Sequence, residues 1–201
     1  MADDLEILPF KNPAEFEKWL AKEHQRDHGI WLKFAKKASG IETIVYAEAL
    51  DIALCYGWID GQTKSVDENY YLQRFTPRRK RSKWSTRNRE YVARLIKDGR
   101  MQPAGQAQID AAKADGRWDA AYDGPAKMAV PDDLLAELAK DPVAKETFDG
   151  LKSANRYAIL YNLHDAKRPE TRERRMQKYL AMLREGKGPT TLSDPQAGGM
   201  F

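Results

Sequence analysis

The spacing of apolar residues changes repeatedly over the first 120 residues, and each spacing predicts a different kind of element. Phe16, Trp19 and Leu20 recur at helical intervals. Asn12 and Pro13 precede them, one as a cap and the other as a favoured first residue of a helix. Elsewhere the period falls to two, which is typical of a half-buried strand. The predicted strands are residues 30–35, 58–66 and 70–76, and further helices are expected to end at Gly57, Gly99 and Gly116.

After residue 130 the pattern is helical throughout. Prolines open three of the four predicted helices and Ser153 caps the other; the prolines are Pro131, Pro142 and Pro169. In the last helix Met176, Tyr179, Leu180 and Leu183 form one apolar stripe. The sequence therefore predicts an α+β fold, with a small antiparallel sheet and flanking helices in the N-terminal part and an all-helical C-terminal part.

A stretch of small and polar residues between Lys113 and Val130 separates the two parts. It contains Gly116, Gly124 and Pro125, which favour an irregular connection. We predict an α+β domain over residues 1–125, a helical domain over 126–187 and a disordered tail over 188–201.

Composition excludes several classes of protein. The aromatic share of 10% is too high for a disordered chain of 201 residues. No apolar run reaches the roughly 18 residues of a membrane-spanning helix, and Met1 to Leu20 lacks the apolar stretch of a signal peptide. Cys55 is the only cysteine, so no disulfide can form within the chain, and we expect it to be a buried, inert thiol. These features predict a cytoplasmic protein.

Charge is distributed unevenly. Eight of the sixteen residues from Arg74 to Arg89 are Lys or Arg and none is acidic, so this segment carries +8 while the net charge is +4. Closely spaced cations with interleaved aromatic residues favour a phosphate-rich partner. The predicted nucleic-acid or anion-binding residues are Arg74, Arg78, Arg79, Lys80, Arg81, Lys83, Trp84 and Arg87. The alternative, common for charge runs, is a solvated loop whose arginines pair with the acidic remainder of the chain.

Several short segments together carry a family resemblance. They are ALCYGWIDG at 53–61, RFTPR at 74–78, SKWS at 82–85, GRM at 99–101, DGRW at 115–118 and AKRPETR at 166–172. This series resembles the YdeI/OmpD-associated family, labelled bacteriocin-protection proteins, from about Phe10 to Lys187. The resemblance implies a link to antimicrobial peptide and stress resistance and an OmpD-associated type of helical domain over 126–187. It carries over no catalytic residue.

A second candidate site combines Trp58, Asp60 and Arg74. Asp60 follows a helix-to-strand junction, and with Arg74 it could line a pocket for a polar ligand or act as a base. The structural alternative is a carboxylate that satisfies a guanidinium or backbone amides. His24 and His28 have helical spacing, but Gly29 indicates that the helix ends there, so we expect no metal site.

The sequence lacks a phosphate-binding glycine-lysine loop, a dinucleotide fingerprint, a GxSxG turn and a CxxC pair. The absence of these motifs removes the common cofactor routes without excluding an enzyme, so we expect no cofactor and favour a binding protein over an enzyme. The leading hypothesis is polyanion binding through the basic segment. One alternative is a small-molecule enzyme or binder that uses the pocket; the other is a protein or peptide interaction through the helical part, where residues 132–149 are acidic.

Overall fold

The computed structural model describes residues 5–189. The chain divides into two compact units, one up to Ala121 and the other from Tyr122 onward. The predicted tail lies largely outside the described residues. No helix between residues 5 and 189 combines the length and apolarity that crossing a bilayer requires.

The first unit contains a four-stranded sheet and four α-helices among its described residues. In chain order these are β1 (Ile7–Pro9), α1 (Pro13–Glu23), β2 (Ile30–Ala35), α2 (Tyr46–Cys55), β3 (Trp58–Ser65), β4 (Tyr70–Pro77), α3 (Thr86–Lys97) and α4 (Pro103–Ala114). The strand order is β1-β2-β4-β3. Strands β2, β4 and β3 pair in antiparallel fashion, whereas β1 pairs parallel with β2. The predicted α+β class is confirmed, and the sheet has one strand, β1, that the sequence pattern did not predict.

Two of the predicted helix starts are made by side-chain caps. Asn12 accepts a hydrogen bond from the backbone N–H of Glu15 at the start of α1. Ser85 accepts one from the backbone N–H of Asn88 at the start of α3. Both caps satisfy backbone donors that a helix leaves without partners in its first turn.

The register of the sheet decides which side chains face the core. Phe75 of β4 is fully buried and lies directly opposite Ile30 on one side and Asp60 on the other. Directly opposed residues share a face, so Asp60 lies on the core face of the sheet. Arg74, the neighbour of Phe75, lies opposite Trp31 on the other face.

Helix α4 approaches the end of α2 very closely. Gly57, with φ of 76°, ends α2 as predicted. The backbone N–H of Gln102 donates to the carbonyl of Cys55, and Gly105 lies so close that a Cβ there would overlap this carbonyl oxygen. Glycine at position 105 is therefore required by packing.

The second unit is helical, as predicted. Its helices are α5 (Asp132–Ala139), α6 (Pro142–Asp149), α7 (Ser153–Asp165) and α8 (Pro169–Arg184). The predicted stripe of the last helix is buried in a core that includes Leu134, Phe148 and Leu160. Arg172 connects α8 to α5 and α7. It donates two hydrogen bonds to the Asp133 carboxylate of α5 and one to the carbonyl of Leu163 in α7.

Candidate functional site

The basic segment forms a tight turn between β4 and α3. The backbone N–H of Ser82 donates to the carbonyl of Arg79 at 2.9 Å, and the backbone N–H of Arg79 donates to the hydroxyl of Ser82 at 2.9 Å. Lys80 and Arg81 lie between them, at the tip of the turn. Arg79, Lys80 and Arg81 are all exposed. We call residues 79–82 the cationic turn.

Arg78 fixes the start of the cationic turn. Its backbone N–H donates to the carbonyl of Gly57 at 3.0 Å. Its guanidinium lies over the ring of Trp84, 3.6 Å from the ring centroid, and donates to the carbonyl of Lys83 at 3.0 Å. Arg78 is only 6% exposed and Trp84 only 1%. These two residues support the turn from inside the unit.

A distant arginine holds the other end of the turn. Arg117 Nη1 donates to the carbonyl of Ser82 at 2.9 Å, across 35 positions of sequence. Its Nε also binds the Asp115 carboxylate, at 2.8 Å to one oxygen and 2.9 Å to the other. The main chain of the cationic turn is therefore held from both sides, and its cations are presented on a defined backbone.

The three cations of the turn lack acidic ion-pair partners among residues 5–189. Asp115 is close enough to feel Lys80. A hydrogen bond from Arg117 holds the pKa of Asp115 below its usual range, and the Lys80 charge adds to this lowering. Arginines elsewhere do form ion pairs, for example Arg26 with Glu6, Arg94 with Asp51 and Arg172 with Asp133. The positive charge of the turn thus remains available to a ligand.

The other predicted anion-binding residues occupy different surroundings. Lys83 is exposed beside the turn. Arg87, in the first turn of α3, is exposed and donates through Nε to the hydroxyl of Tyr91 at 2.9 Å. Arg74 lies on the sheet face away from the core, and its Nε is buried without a hydrogen-bond partner among the described residues. The structure thus groups Arg79, Lys80 and Arg81 and places Arg74 elsewhere.

The predicted pocket residues are not brought together. Asp60 and Arg74 lie on opposite faces of the sheet, because Asp60 is opposite Phe75 and Arg74 is its neighbour. Trp58 is fully buried and donates through its indole nitrogen to the carbonyl of His24 at 2.9 Å. The partner of Asp60 is instead Tyr46, whose hydroxyl donates to Oδ2 at 2.7 Å.

Tyr46 is a polar residue that the sequence analysis missed. Burial raises the pKa of its phenol, the Asp60 carboxylate raises it further, and the positive charge of Arg87 lowers it. Tyr46 therefore stays a hydrogen-bond donor at neutral pH. It is the first residue of α2 and lies 14 positions from Asp60, and nothing in its sequence spacing indicates this contact.

The two candidate histidines and the single cysteine are held by contacts within the fold. Helix α1 ends at Glu23, before His24 and His28, so the two imidazoles do not share a helical face. His24 contacts the carbonyl of Leu20, and His28 contacts Arg26. Cys55 is buried, and burial raises the pKa of its thiol to about 11, so the reactive thiolate is scarce at neutral pH.

These features define a two-part protein, with a clamped cationic turn on a four-stranded α+β unit and a separate helical unit. The chain belongs to the family of the domain of unknown function DUF8412, whose model matches residues 8–108. Residues 127–186 match the family described as bacteriocin-protection, YdeI or OmpD-associated. The predicted family resemblance is confirmed over residues 127–186; it was expected from about Phe10, but residues 8–108 match the DUF8412 model. Neither a curated protein nor a solved structure matches the chain.

Proposed function

We propose that the protein binds polyanions, with nucleic acid as the leading candidate, through the cationic turn. The observation that carries this proposal is the combination of exposed Arg79, Lys80 and Arg81 with a backbone held by Arg78 and Arg117. Lys83 and Arg87 extend the positive surface toward α3. A cytoplasmic location, where nucleic acid is abundant, is part of the same proposal.

The physical basis is the pairing of cations with phosphates. Each phosphate contact releases condensed counterions, so binding weakens as the salt concentration rises. On a duplex, the logarithm of the binding constant falls with the logarithm of the salt concentration with a slope of about −0.9 per phosphate contact. A guanidinium can also engage two phosphate oxygens at once. Because contacts within the unit already hold the turn, binding does not cost the conformational entropy of ordering its main chain.

Fluorescence polarisation with labelled duplex and single-stranded 20-mers tests the proposal. Replacing Arg79, Lys80 and Arg81 together with Ala should weaken binding at least tenfold and make the salt slope shallower by roughly 2 to 3. The matched control replaces Lys11, Lys18 and Lys22, three exposed lysines of the same unit, and changes the net charge equally. Equal effects of the two triple variants, or no binding by the native protein, would overturn the proposal.

The helical unit supports a second candidate function, a protein or peptide interaction. Leu135 of α5 and Val143 of α6 are 50% and 57% exposed, in a segment with six acidic and two basic residues. Exposed aliphatic groups among carboxylates suit a cationic, partly apolar peptide. Titration with such a peptide should show binding that Leu135→Ser and Val143→Ser abolish and that the triple variant of the turn leaves intact.

We also propose that the two compact units are the two predicted domains. The contact boundary between Ala121 and Tyr122 lies close to the predicted boundary at 125/126. Limited proteolysis of the full chain should cut first between residues 113 and 130. First cuts within the ranges of α1 to α3 or α5 to α8 would contradict this assignment.

A further inference from the structure

A polar cluster shares Arg87 with the positive surface, and the proposed polyanion binding leaves its other members without a role. It joins Tyr46 at the start of α2, Asp60 on β3, and Arg87 and Tyr91 on α3. Tyr46 is hydrogen-bonded to Asp60 at 2.7 Å and Arg87 to Tyr91 at 2.9 Å. Tyr46, Asp60 and Tyr91 are partly exposed and Arg87 is exposed, so a ligand can reach the cluster.

The two halves of the cluster are close but not joined. Arg87 is near enough for its charge to act on both Tyr46 and Asp60. Among the described residues, however, Arg87 forms no ion pair with Asp60, and Asp60 receives a side-chain hydrogen bond from Tyr46 alone. The pairing of β3 with β4 is irregular directly after Asp60, between Asp60 and Thr63. Helix α2, which starts at Tyr46, packs against both β3 and α3, so the charge of Arg87 acts on a carboxylate that has unused acceptor capacity.

A carboxylate beside a phosphate-binding surface repels the phosphate and weakens binding, unless the ligand also donates hydrogen bonds to the carboxylate. A nucleotide does both, since its phosphate is anionic and its base carries N–H donors. Guanine presents two neighbouring donors, N1–H and the 2-amino group, to the two oxygens of a carboxylate. Asp60 can accept both while it retains the bond from Tyr46, because a carboxylate offers about four lone-pair sites.

We propose that Tyr46, Asp60, Arg87 and Tyr91 form a subsite for one guanine nucleotide, with the base on Asp60 and the phosphate on Arg87. This assignment rests on the proposed function, in which the cationic turn binds the flanking phosphates of the same strand. Tyr46 orients the Asp60 carboxylate and Tyr91 orients the Arg87 guanidinium. The nucleotide can come from a nucleic-acid strand or be free, and the chemistry of the subsite is shared by both sources.

The experiment compares guanine with hypoxanthine, which lacks only the 2-amino group. One arm titrates the full chain with guanosine and inosine 5′-monophosphates and with inorganic phosphate by calorimetry. The other arm measures fluorescence polarisation with a uridine dodecamer that contains one central guanosine or one inosine. We expect a preference for guanine of about five- to hundredfold, the range measured for a good bidentate base contact.

Three variants and one control separate the roles. Asp60→Asn should abolish the preference for guanine, whereas Glu68→Gln, at an exposed carboxylate outside the cluster, should keep it. Arg87→Gln should weaken guanine and hypoxanthine ligands equally. Tyr46→Phe should reduce the preference, since the carboxylate loses its orienting bond. If an Asp60 variant fails to fold, Tyr46→Phe and the comparison of guanine with hypoxanthine in the native protein still test the subsite.

The outcomes distinguish the subsite from the turn. A preference in both arms supports the subsite with a free nucleotide as a sufficient ligand, and a preference in the strand arm alone supports it as part of a nucleic-acid site. Equal binding of guanine and hypoxanthine by the native protein, or a preference that survives Asp60→Asn, overturns the subsite. If the turn variant loses oligonucleotide binding in that case, the proposed function stands without the subsite. If the turn variant binds normally, the proposed function falls.

Discussion

Arg78 and Trp84 form a stacked pair, with the guanidinium 3.6 Å from the centroid of the indole ring. The pair lies beneath the cationic turn and brackets it along the chain. One of the eight cations of the basic segment is thereby used to support the turn that presents Arg79, Lys80 and Arg81. The positive charge counted from sequence is therefore larger than the positive charge presented to a ligand.

Trp84→Ala should destabilise the protein by about 3 to 5 kcal/mol, because it removes a fully buried indole and leaves a cavity beneath Arg78. Urea unfolding of the full chain, followed by circular dichroism, measures the change. Trp84→Phe retains an aromatic face for the guanidinium and should cost less. A loss below 1 kcal/mol for the alanine variant would show that this pair does not support the fold.

Arg117→Ala should weaken polyanion binding although Arg117 is not proposed to touch the ligand. The variant removes the hydrogen bond to the carbonyl of Ser82, so the turn becomes less ordered. We expect a loss of about 1 kcal/mol, or roughly fivefold in affinity. Arg26→Ala, which removes an ion-paired arginine of similar exposure in the same unit, is the control. Similar affinities for the two variants would show that the hydrogen bond from Arg117 to Ser82 does not help the cationic turn to bind polyanions.

Cys55 should make stability depend on alkaline pH. Its pKa is about 11 in the folded protein and 9.0 without burial, so the unfolded chain loses its thiol proton first as pH rises. The free energy of unfolding therefore falls between pH 9 and 11, by an amount on the order of 2 kcal/mol. Cys55→Ala, which cannot ionise, should show a flatter profile over this window when both proteins are unfolded with urea. If stability falls equally with pH in both proteins, the raised pKa of Cys55 does not cause the loss.

Gly105→Ala should be strongly destabilising, by about 1 to 3 kcal/mol or more, because the new Cβ overlaps the carbonyl of Cys55. Relief requires α4 to move away from the end of α2. Gly124→Ala is the matched control, since open space surrounds that position and its backbone needs no positive φ. Thermal unfolding compares the two variants. Equal melting temperatures would show that α4 moves away from the end of α2 at little cost, so that packing does not require glycine at position 105.

Local rules predicted most elements of the fold. The caps at Asn12 and Ser85 depend on residues three positions away, and strands β2, β3 and β4 each show a period of two. Strand β1 has only three residues, too few to show any period, and it is placed by pairing with β2.

The candidate site was less predictable, because its geometry depends on long-range contacts. Whether Asp60 faces Arg74 is decided by strand register, and the register puts them on opposite faces. The contact of Arg117 with Ser82 and that of Tyr46 with Asp60 connect residues 35 and 14 positions apart. The concentration of cations was visible in the sequence, but the division into supporting and exposed cations required the packing of Trp84.

The irregular pairing after Asp60 also affects how the sheet meets other molecules. Strands β1 and β3 are the two edges of the sheet, and an open edge can template pairing with another chain. The first edge is three residues long and ends at Pro9, which has no N–H to donate. The second carries the irregularity and the exposed Lys64, which disfavour a flat, continuous ladder. The strand that positions Asp60 therefore also helps to keep the protein from aggregating edge to edge.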